Sequence, residues 1–488
     1  MASSKVRLFG SISSVRGLQR LAVAGLTLAL GACAVGPDYR LPEADVGAAY
    51  KEAHGWTRAQ PNDAALRGQW WELFGDPALS GLMAALEESN LDIVQAEARF
   101  RQAQALLKSS RSEFFPLMGT SVSVDRSGSG LGAGSGRSDS LFSGGESISN
   151  QYSLVGSVSW EIDLWGRIRR SVEASRAGLA ASAADIATTR LSLQSSLAQF
   201  YFQLRGLDAE KRLLQQTVAA YERSLATTQN RFRAGVAAQS EVAVSRTQLE
   251  NARTQLLGLG WQRAQLEHGI AVLIGRPPSA FDLTPTTFMA KVPPIPPGLP
   301  SQLLQRRPDV AAAERRTAEA NATIGVAQAA WFPDLTLSAQ GGFSSGQWAQ
   351  WLTAPARFWS LGPALAMTIF DGGAREAQVA YARAGFDAQA AAYRQTVLIA
   401  LKEVEDFLVQ LSVMEQQQIT QGRALDAARE SLRLTQNQYE AGLIDYLSVV
   451  QVEATALSTE RAALSLQADR LAAAVQLIAA LGGGWSGS

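Results

Sequence analysis

A chain of 488 residues with 47% hydrophobic content is long enough for about three average domains or one elongated one, and disorder is not its default. Lys+Arg and Asp+Glu number 44 each, so no basic excess supports a nucleic-acid footprint. One cysteine, Cys33, forbids an internal disulfide, and two histidines, His54 and His268, equip the chain poorly for zinc or iron.

The N-terminus reads as an export signal. Lys5, Arg7, Arg16 and Arg20 precede the apolar run "LAVAGLTLAL" and then "GAC". A run of ten residues is too short to cross a bilayer as a helix. Leu30-Gly31-Ala32-Cys33 resembles the bacterial lipobox, which implies cleavage after residue 32 and acylation of Cys33. The bland alternative is an ordinary signal peptide that happens to precede a cysteine. Ala34 follows, whereas aspartate there commonly marks inner-membrane retention in lipoproteins, so the export route favours the outer membrane. No later run of 18 apolar residues exists, so any spanning element is something other than a helix.

The rest of the chain is a tandem duplication. Shifted by 207 positions, Gly166–Gly275 lies over Gly373–Gly482 without a gap, with Phe200 on Phe407, Phe232 on Tyr439 and Gly235 on Gly442. A shift of 217 lays "NLDIVQAEAR" over "RPDVAAAERR" and "FFP" over "WFP"; the ten-residue difference falls in the Gly/Ser-rich stretch between Ser127 and Gly145. Each copy reads helix, strand, strand, long helix, turn, long helix. Leu193, Leu197, Phe200, Leu204, Leu207, Leu214, Val218, Tyr221 and Leu225 form a heptad-type seam, and Val404, Phe407, Leu411, Met414, Leu425 and Leu432 keep much of it. A helix from about residue 166 to 229 spans roughly 95 Å. Ala-Gly at 234–235 and at 441–442 supplies the left-handed position that stops it.

Before each long helix the period becomes two. Tyr152, Leu154, Val158, Trp160, Ile162 and Leu164 share one face and Ser153, Ser157, Ser159, Glu161 and Asp163 the other. Leu335, Leu337, Ala339 and Phe343 oppose Asp334, Thr336, Ser338 and Gln340, and Trp359, Leu361, Leu365, Met367 and Ile369 form a third apolar set. Leu117–Asp125 is a weaker fourth strand. The pattern fits membrane-barrel strands; a soluble half-buried sheet alternates in the same way. Four strands close no barrel, so a membrane reading requires self-association.

The Pro-rich joint Gly275–Pro300 is too broken for a helix. No Ser-His-Asp set, metal box or acid/base pair stands out, and "GSGLGAGSG" lacks the Lys-Ser/Thr of a phosphate loop and reads as an extracellular loop. Nothing points to an enzyme, a metal or a cofactor beyond the covalent lipid expected on Cys33.

In order and spacing, "CAVGPDYRLP", "QWWELFGDPAL", "NLDIVQAEARFRQAQA", "WEIDLWGRIRRSVEA", "LLQRRPDVAAAERR", "FDGGAREA" and "QYEAGLIDYLSVVQ" resemble the TolC/OprM-type outer-membrane efflux factors, in particular the NodT-like lipoprotein branch. The resemblance implies an α+β membrane fold in a homotrimer: four strands per protomer in a 12-stranded outer-membrane β-barrel, long helical hairpins in a periplasmic α-barrel, and a small mixed equatorial belt. It implies a lipid-anchored exit duct in the outer membrane that docks a periplasmic adaptor and an inner-membrane RND-type transporter, with no nucleic acid involved. A duct for type I protein secretion and an elongated coiled-coil surface lipoprotein are the alternatives. The expected divisions are signal peptide 1–32, extended belt segment 33–76, first repeat 77–276, Pro-rich belt linker 277–298 and second repeat 299–488.

In the family, residues around the second hairpin turn hold the periplasmic end shut. Tyr439 and Gly442 match that motif, and Leu447 stands where some members carry an apolar ring. Ser448 and Gln451 occupy places where relatives often carry aspartates, a departure that removes a cation-attracting ring. Asp445 either supplies the missing acid or faces a neighbouring helix. The resemblance thus implies a gate closed by Leu447 with polar help from Tyr439 and Asp445, and adaptor contact at the hairpin tips through Phe232, Gly235, Tyr439 and Gly442.

Overall fold

The computed structural model describes residues 34–44, 47, 49–52, 68–129, 147–286, 290–295 and 306–483. The expected signal peptide, Cys33, residues 130–146 of the Gly/Ser-rich stretch and parts of both belt segments lie outside them. In chain order come α1 (Pro77–Ser89), α2 (Leu91–Ser112), β1 (Leu117–Ser129), β2 (Ser147–Ile162), α3 (Arg167–Arg233) and α4 (Gln239–Leu273). The second copy supplies α5 (Pro308–Ala329), β3 (Asp334–Ser345), β4 (Arg357–Ala366), α6 (Ala374–Glu440) and α7 (Tyr446–Ala480). Helices α3 and α6 each have 67 residues, α4 and α7 each 35, and all four pairs of ends stand 207 positions apart. The duplication therefore fixes helix length as well as order. Among the described residues, no helix is long and apolar enough to cross a membrane.

The helices stop where the backbone goes left-handed. Gly235 (φ 75°) and Gly442 (φ 74°) follow α3 and α6. The amides of Val236 and Leu443 reach back to the carbonyls of Arg231 and Gln438, each at 2.9 Å, which is a Schellman closure. The expected end near residue 229 falls short because the last turn stays helical until that glycine.

The chain divides into two compact units. The first holds Met1–Leu41, Gln102–Leu179 and Arg315–Ala390. Its centre is a four-stranded antiparallel sheet in the order β1-β2-β3-β4, so β1 and β4 are open edges. Strand β1 runs further than expected, to Ser129, while β4 ends at Ala366, leaving Met367 and Ile369 beyond it. Ala366 pairs with Asp334, and the next residue of that strand's lead-in, Pro333, can donate no ladder hydrogen bond. Residues 34–38 are held against α3 and α5. Arg170 donates to the carbonyls of Val35 and Gly36 (3.2 and 3.1 Å) and pairs with Asp38 (3.1 Å), and Asn321 donates to Pro37 (2.9 Å). A Cβ on Gly166 would lie 2.9 Å from the Ala34 Cα, so glycine there admits the close approach.

The second unit holds Pro42–Arg101, Ala180–Glu314 and Ala391–Ser488. Its core joins the heptad-type seam, of which Leu197, Leu204, Leu214 and Tyr221 are buried, to a patch the periodicity does not reveal. Trp70, Trp71 and Phe74 of the "QWWELF" stretch pack on α3, with Phe74 4.8 Å from Phe202 and the Tyr201 hydroxyl donating to Asp76 at 2.6 Å. Asp76 also caps α1. The two repeats share one more joint. Asn90 Nδ2 donates to the Leu273 carbonyl (2.7 Å) and Arg307 Nη1 to the Ala480 carbonyl (3.2 Å), so α4 ends against the start of α2 and α7 against the start of α5. A buried charge cluster is confined to the first repeat. Asp208, whose side chain is 0% exposed, accepts from Arg263 (2.8 Å) and Arg205 (3.0 Å). Those arginines also hold the carbonyls of Leu283 and Thr284, and Glu267 receives the Leu283 amide at 2.6 Å, which anchors the start of the Pro-rich linker.

Candidate functional site: the two faces of the sheet and the hairpin tips

Strand register decides which side chains share a face. Val122 pairs with Leu154, Leu154 with Phe343, and Phe343 with Arg357. Followed along all four strands, one face carries Met118, Val122, Val124, Tyr152, Leu154, Val158, Trp160, Ile162, Leu335, Leu337, Phe343, Trp359, Leu361 and Leu365. The opposite face is a serine surface. Ser123 and Ser153 hydroxyls meet at 2.7 Å, Ser127 and Ser149 at 2.7 Å, and Gln151 donates to Ser344 at 2.5 Å. Large apolar side chains such as Val122, Trp359 and Leu361 stand exposed on a continuous sheet face, which a soluble monomer avoids. One apolar face, one hydroxyl-lined face and two open edges are the features a segment of a membrane-barrel wall needs.

At the hairpin tips the sequence places the candidates within one turn, and the structure separates their roles. The start of α7 is two-sided. Tyr446, Val449 and Val450 are buried, with Val244 of α4 and Tyr439 and Ile444 packed on them. Tyr446 is hydrogen-bonded to Ser224 of α3 (2.8 Å) and donates to Ser245 of α4 (3.3 Å), tying the second hairpin to the first. On the other side Leu447 is 51% exposed, and Gln451, one turn on, is exposed as well. Ser448 and Asp445 are spent on each other. Asp445 is the N-cap of α7, accepting from the Ser448 amide (3.0 Å) and hydroxyl (2.6 Å), and the hydroxyl bond holds its carboxyl below the usual range. Tyr439 lies under the Arg231 guanidinium (4.8 Å) and 5.6 Å from the Tyr446 ring. Its hydroxyl is enclosed without a hydrogen-bond partner among the described residues. Phe232, its counterpart in the first repeat, is exposed, and Gly235 and Gly442 form the two turns.

Sequence reasoning missed Arg231, Tyr446 and Glu453. Tyr446 falls on Gln239 and Arg231 on Gln438 under the 207-residue shift, so self-similarity hides both. Glu453, on the Tyr446 side of α7, receives the Gln436 amide at 3.3 Å and leaves Oε2 buried without a partner, and burial pushes its carboxyl up. Burial first and Glu453 second push the phenol of Tyr221 up to about 12.

The comparisons agree with this geometry. The family model described as outer membrane efflux protein matches residues 82–276 and 299–483. The chain is 31% identical over 468 residues to the probable efflux pump outer membrane protein TtgC of Pseudomonas putida, covering 95% of each. It is 31% identical over 469 residues to the pyoverdine export outer membrane protein OpmQ of Pseudomonas aeruginosa, covering 96% of this chain and 97% of that one. The solved outer-membrane channel OprN superposes with a TM-score of 0.84 at 32% identity, over 93% of this chain and 100% of that chain. The chain belongs to the outer membrane efflux protein family, with a TolC-like fold: it is an outer-membrane efflux channel and not an enzyme.

Proposed function

We propose that three copies close edge to edge, β4 of one on β1 of the next, into a 12-stranded barrel continued by a tunnel of helical hairpins. The observation that carries this reading is the sheet itself: one apolar face, one hydroxyl face and two unpaired edges. Unpaired backbone in hydrocarbon costs several kcal/mol per group, so an isolated protomer is not a stable membrane state. The duct passes small toxic compounds or siderophores, the cargo classes for which several relatives are named, from periplasm to exterior. Energy comes from its partners, an RND-type inner-membrane transporter joined through a periplasmic adaptor at the hairpin tips around Phe232, Gly235, Tyr439 and Gly442. Cys33 carries the lipid; the pinning of residues 34–38 beside Gly166, next to the helix end of the sheet, favours an acyl chain entering the near leaflet. The closed end rests on Leu447, whose exposed face is free to meet its copies.

Native mass spectrometry of detergent-extracted protein tests the assembly: a trimer is expected, and a monodisperse monomer with intact secondary structure contradicts it. Palmitate labelling tests the anchor. Label is expected on the wild type and absent from Cys33→Ser; label retained by that variant overturns the assignment.

A further inference from the structure

The two faces of the sheet differ in charge as well as in polarity. Among the described strand residues, the hydroxyl face carries only acids: Asp125, Glu161 and Asp334. The apolar face carries only two charged residues, and both are cations: Arg126 on β1, paired with Asn150, and Arg357 on β4, paired with Phe343. Both are exposed, and neither guanidinium makes a hydrogen bond or ion pair among the described residues. A lone arginine on the lipid face of a barrel is strongly destabilising at mid-bilayer and nearly neutral at the interface, so these two mark the headgroup level.

Their surroundings agree. Both stand toward the end of the sheet away from the helices. Tyr152, diagonal to Arg126, forms a ring cluster with Trp348 (5.4 Å) and Trp351 (6.1 Å), and the Trp351 indole N–H is buried without a partner. Aromatic rings with a polar handle collect at membrane interfaces. From the arginines toward the helices the same face carries no charge and, Thr120 apart, no polar side chain: Val124 and Val122 follow on β1, Trp359 and Leu361 on β4.

The arginines occupy the two open edges, and closure brings them together. Strand β4 runs from Arg357 to Ala366, and β1 begins at Leu117. Ala366 and Leu117 both lie at the helix end and both on the hydroxyl face. Antiparallel closure with those ends level keeps each face continuous and sets Arg357 of one protomer directly opposite Arg126 of the next. A slip of two residues, which also preserves the faces, leaves them diagonal neighbours. Like charges directly opposite repel, unless an anion sits between them.

We propose that each seam of the closed barrel binds the phosphate headgroup of a membrane lipid between Arg126 and Arg357 of adjacent protomers, with its acyl chains on Val122, Val124, Trp359 and Leu361. The occupant is a lipid rather than free phosphate because the cations border an apolar wall on the membrane side. The site rests on the trimeric reading above. It makes lipid a cement at the subunit seams.

Native mass spectrometry of the full-length protein tests the site, with dipalmitoyl phosphatidic acid as probe and dipalmitoylglycerol, which has the same chains without phosphate, as control. Up to three phosphatidic acid molecules per trimer are expected, with little retention of the neutral lipid. Each arginine near a charged headgroup accounts for about fivefold in affinity, so Arg126→Gln/Arg357→Gln weakens binding about thirtyfold. Asp125→Asn, on the opposite face, leaves it unchanged. Unchanged lipid binding by the double variant in an intact trimer, equal retention of the neutral lipid, or full displacement by millimolar inorganic phosphate each overturns the proposal. A wild-type protein that runs as a monomer overturns the trimeric reading itself, and the seam site with it.

Discussion

The two hairpins have the same helix lengths, yet they are packed differently. In the outer half of α3, Leu214, Tyr221 and Thr228 are buried. Their counterparts in α6 are Gln421, Ala428 and Thr435, the first more polar, the second smaller and the third unchanged, and all three are only half-buried, while Ile419 and Leu434 stand exposed. The buried cluster of Arg205, Asp208 and Arg263 has no second copy either: the matching positions are Ser412, Glu415 and Arg470. Duplication preserved the backbone and released the side chains. The first hairpin is fixed to the linker by buried charge; the second shares the main core through residues such as Val404, Leu408 and Leu477, is tied at its tip by the Tyr446 cluster, and keeps an uncovered outer face on α6. A segment with less internal burial opens at lower free-energy cost, so the outer half of α6 should open more readily than that of α3.

This contrast can be broken at several points. Asp208→Ala leaves Arg205 buried without a carboxylate and Arg263 with Glu267 alone, and should destabilise the second unit by about 3–5 kcal/mol, whereas Glu415→Ala, at the exposed counterpart, should stay within about 0.5 kcal/mol. Thermal unfolding in detergent separates the two outcomes, and equal losses would erase the asymmetry. Gly275→Ala and Gly482→Ala should instead cost the same in both repeats, about 1–3 kcal/mol each. Both glycines have positive φ, and an added Cβ would press into the carbonyls of Ser89 and Arg306, so unequal losses would count against a shared joint.

At the tips, Tyr446→Phe removes the hydrogen bonds to Ser224 and Ser245 and should cost about 1 kcal/mol. Tyr439→Phe removes an enclosed, unpartnered hydroxyl and should be close to neutral. Chemical denaturation of both variants checks the pair, and a larger loss in Tyr439→Phe would reverse the assignment. The smallest effect is a pH dependence. Burial raises the Glu453 carboxyl, so between its ordinary value and its raised one the folded state holds a proton that the unfolded chain has lost. Stability contributed at this site therefore declines as pH rises through that window. Hydrogen exchange of residues 436–453 should show the decline in the wild type and not in Glu453→Gln; matching profiles would remove Glu453 from the account.

Much of this architecture is legible in the sequence because few forces set it. Alternation at Leu335, Leu337 and Ala339 shows one apolar strand face, and the ladder confirms that neighbouring strands share it. Gly235 and Gly442 announce the turns because only a left-handed position closes those helices. The strand limits are less legible. Met367 and Ile369 continue the alternation of β4, but a strand ends when its partner does, and the partner runs out at Asp334. The tip was read only in part. Leu447 and Gln451 could be placed from the turn motif, whereas the Arg231–Tyr439 stack and the Tyr446–Ser224–Ser245 link depend on how two hairpins 207 positions apart meet. Asp445 illustrates the limit: spacing alone left its partner open, and the structure shows a helix cap made with Ser448.

The central claim is that this chain forms a duct closed at the tip of its second hairpin by the exposed side of α7. Single-channel recording of the purified protein in planar bilayers tests it most directly, with Leu447→Ser beside the wild type. The account predicts a small, mostly closed conductance for the wild type and a several-fold rise for Leu447→Ser, with Tyr439→Phe close to wild type. No channel activity in either protein, or an unchanged conductance in a correctly assembled Leu447→Ser trimer, contradicts it.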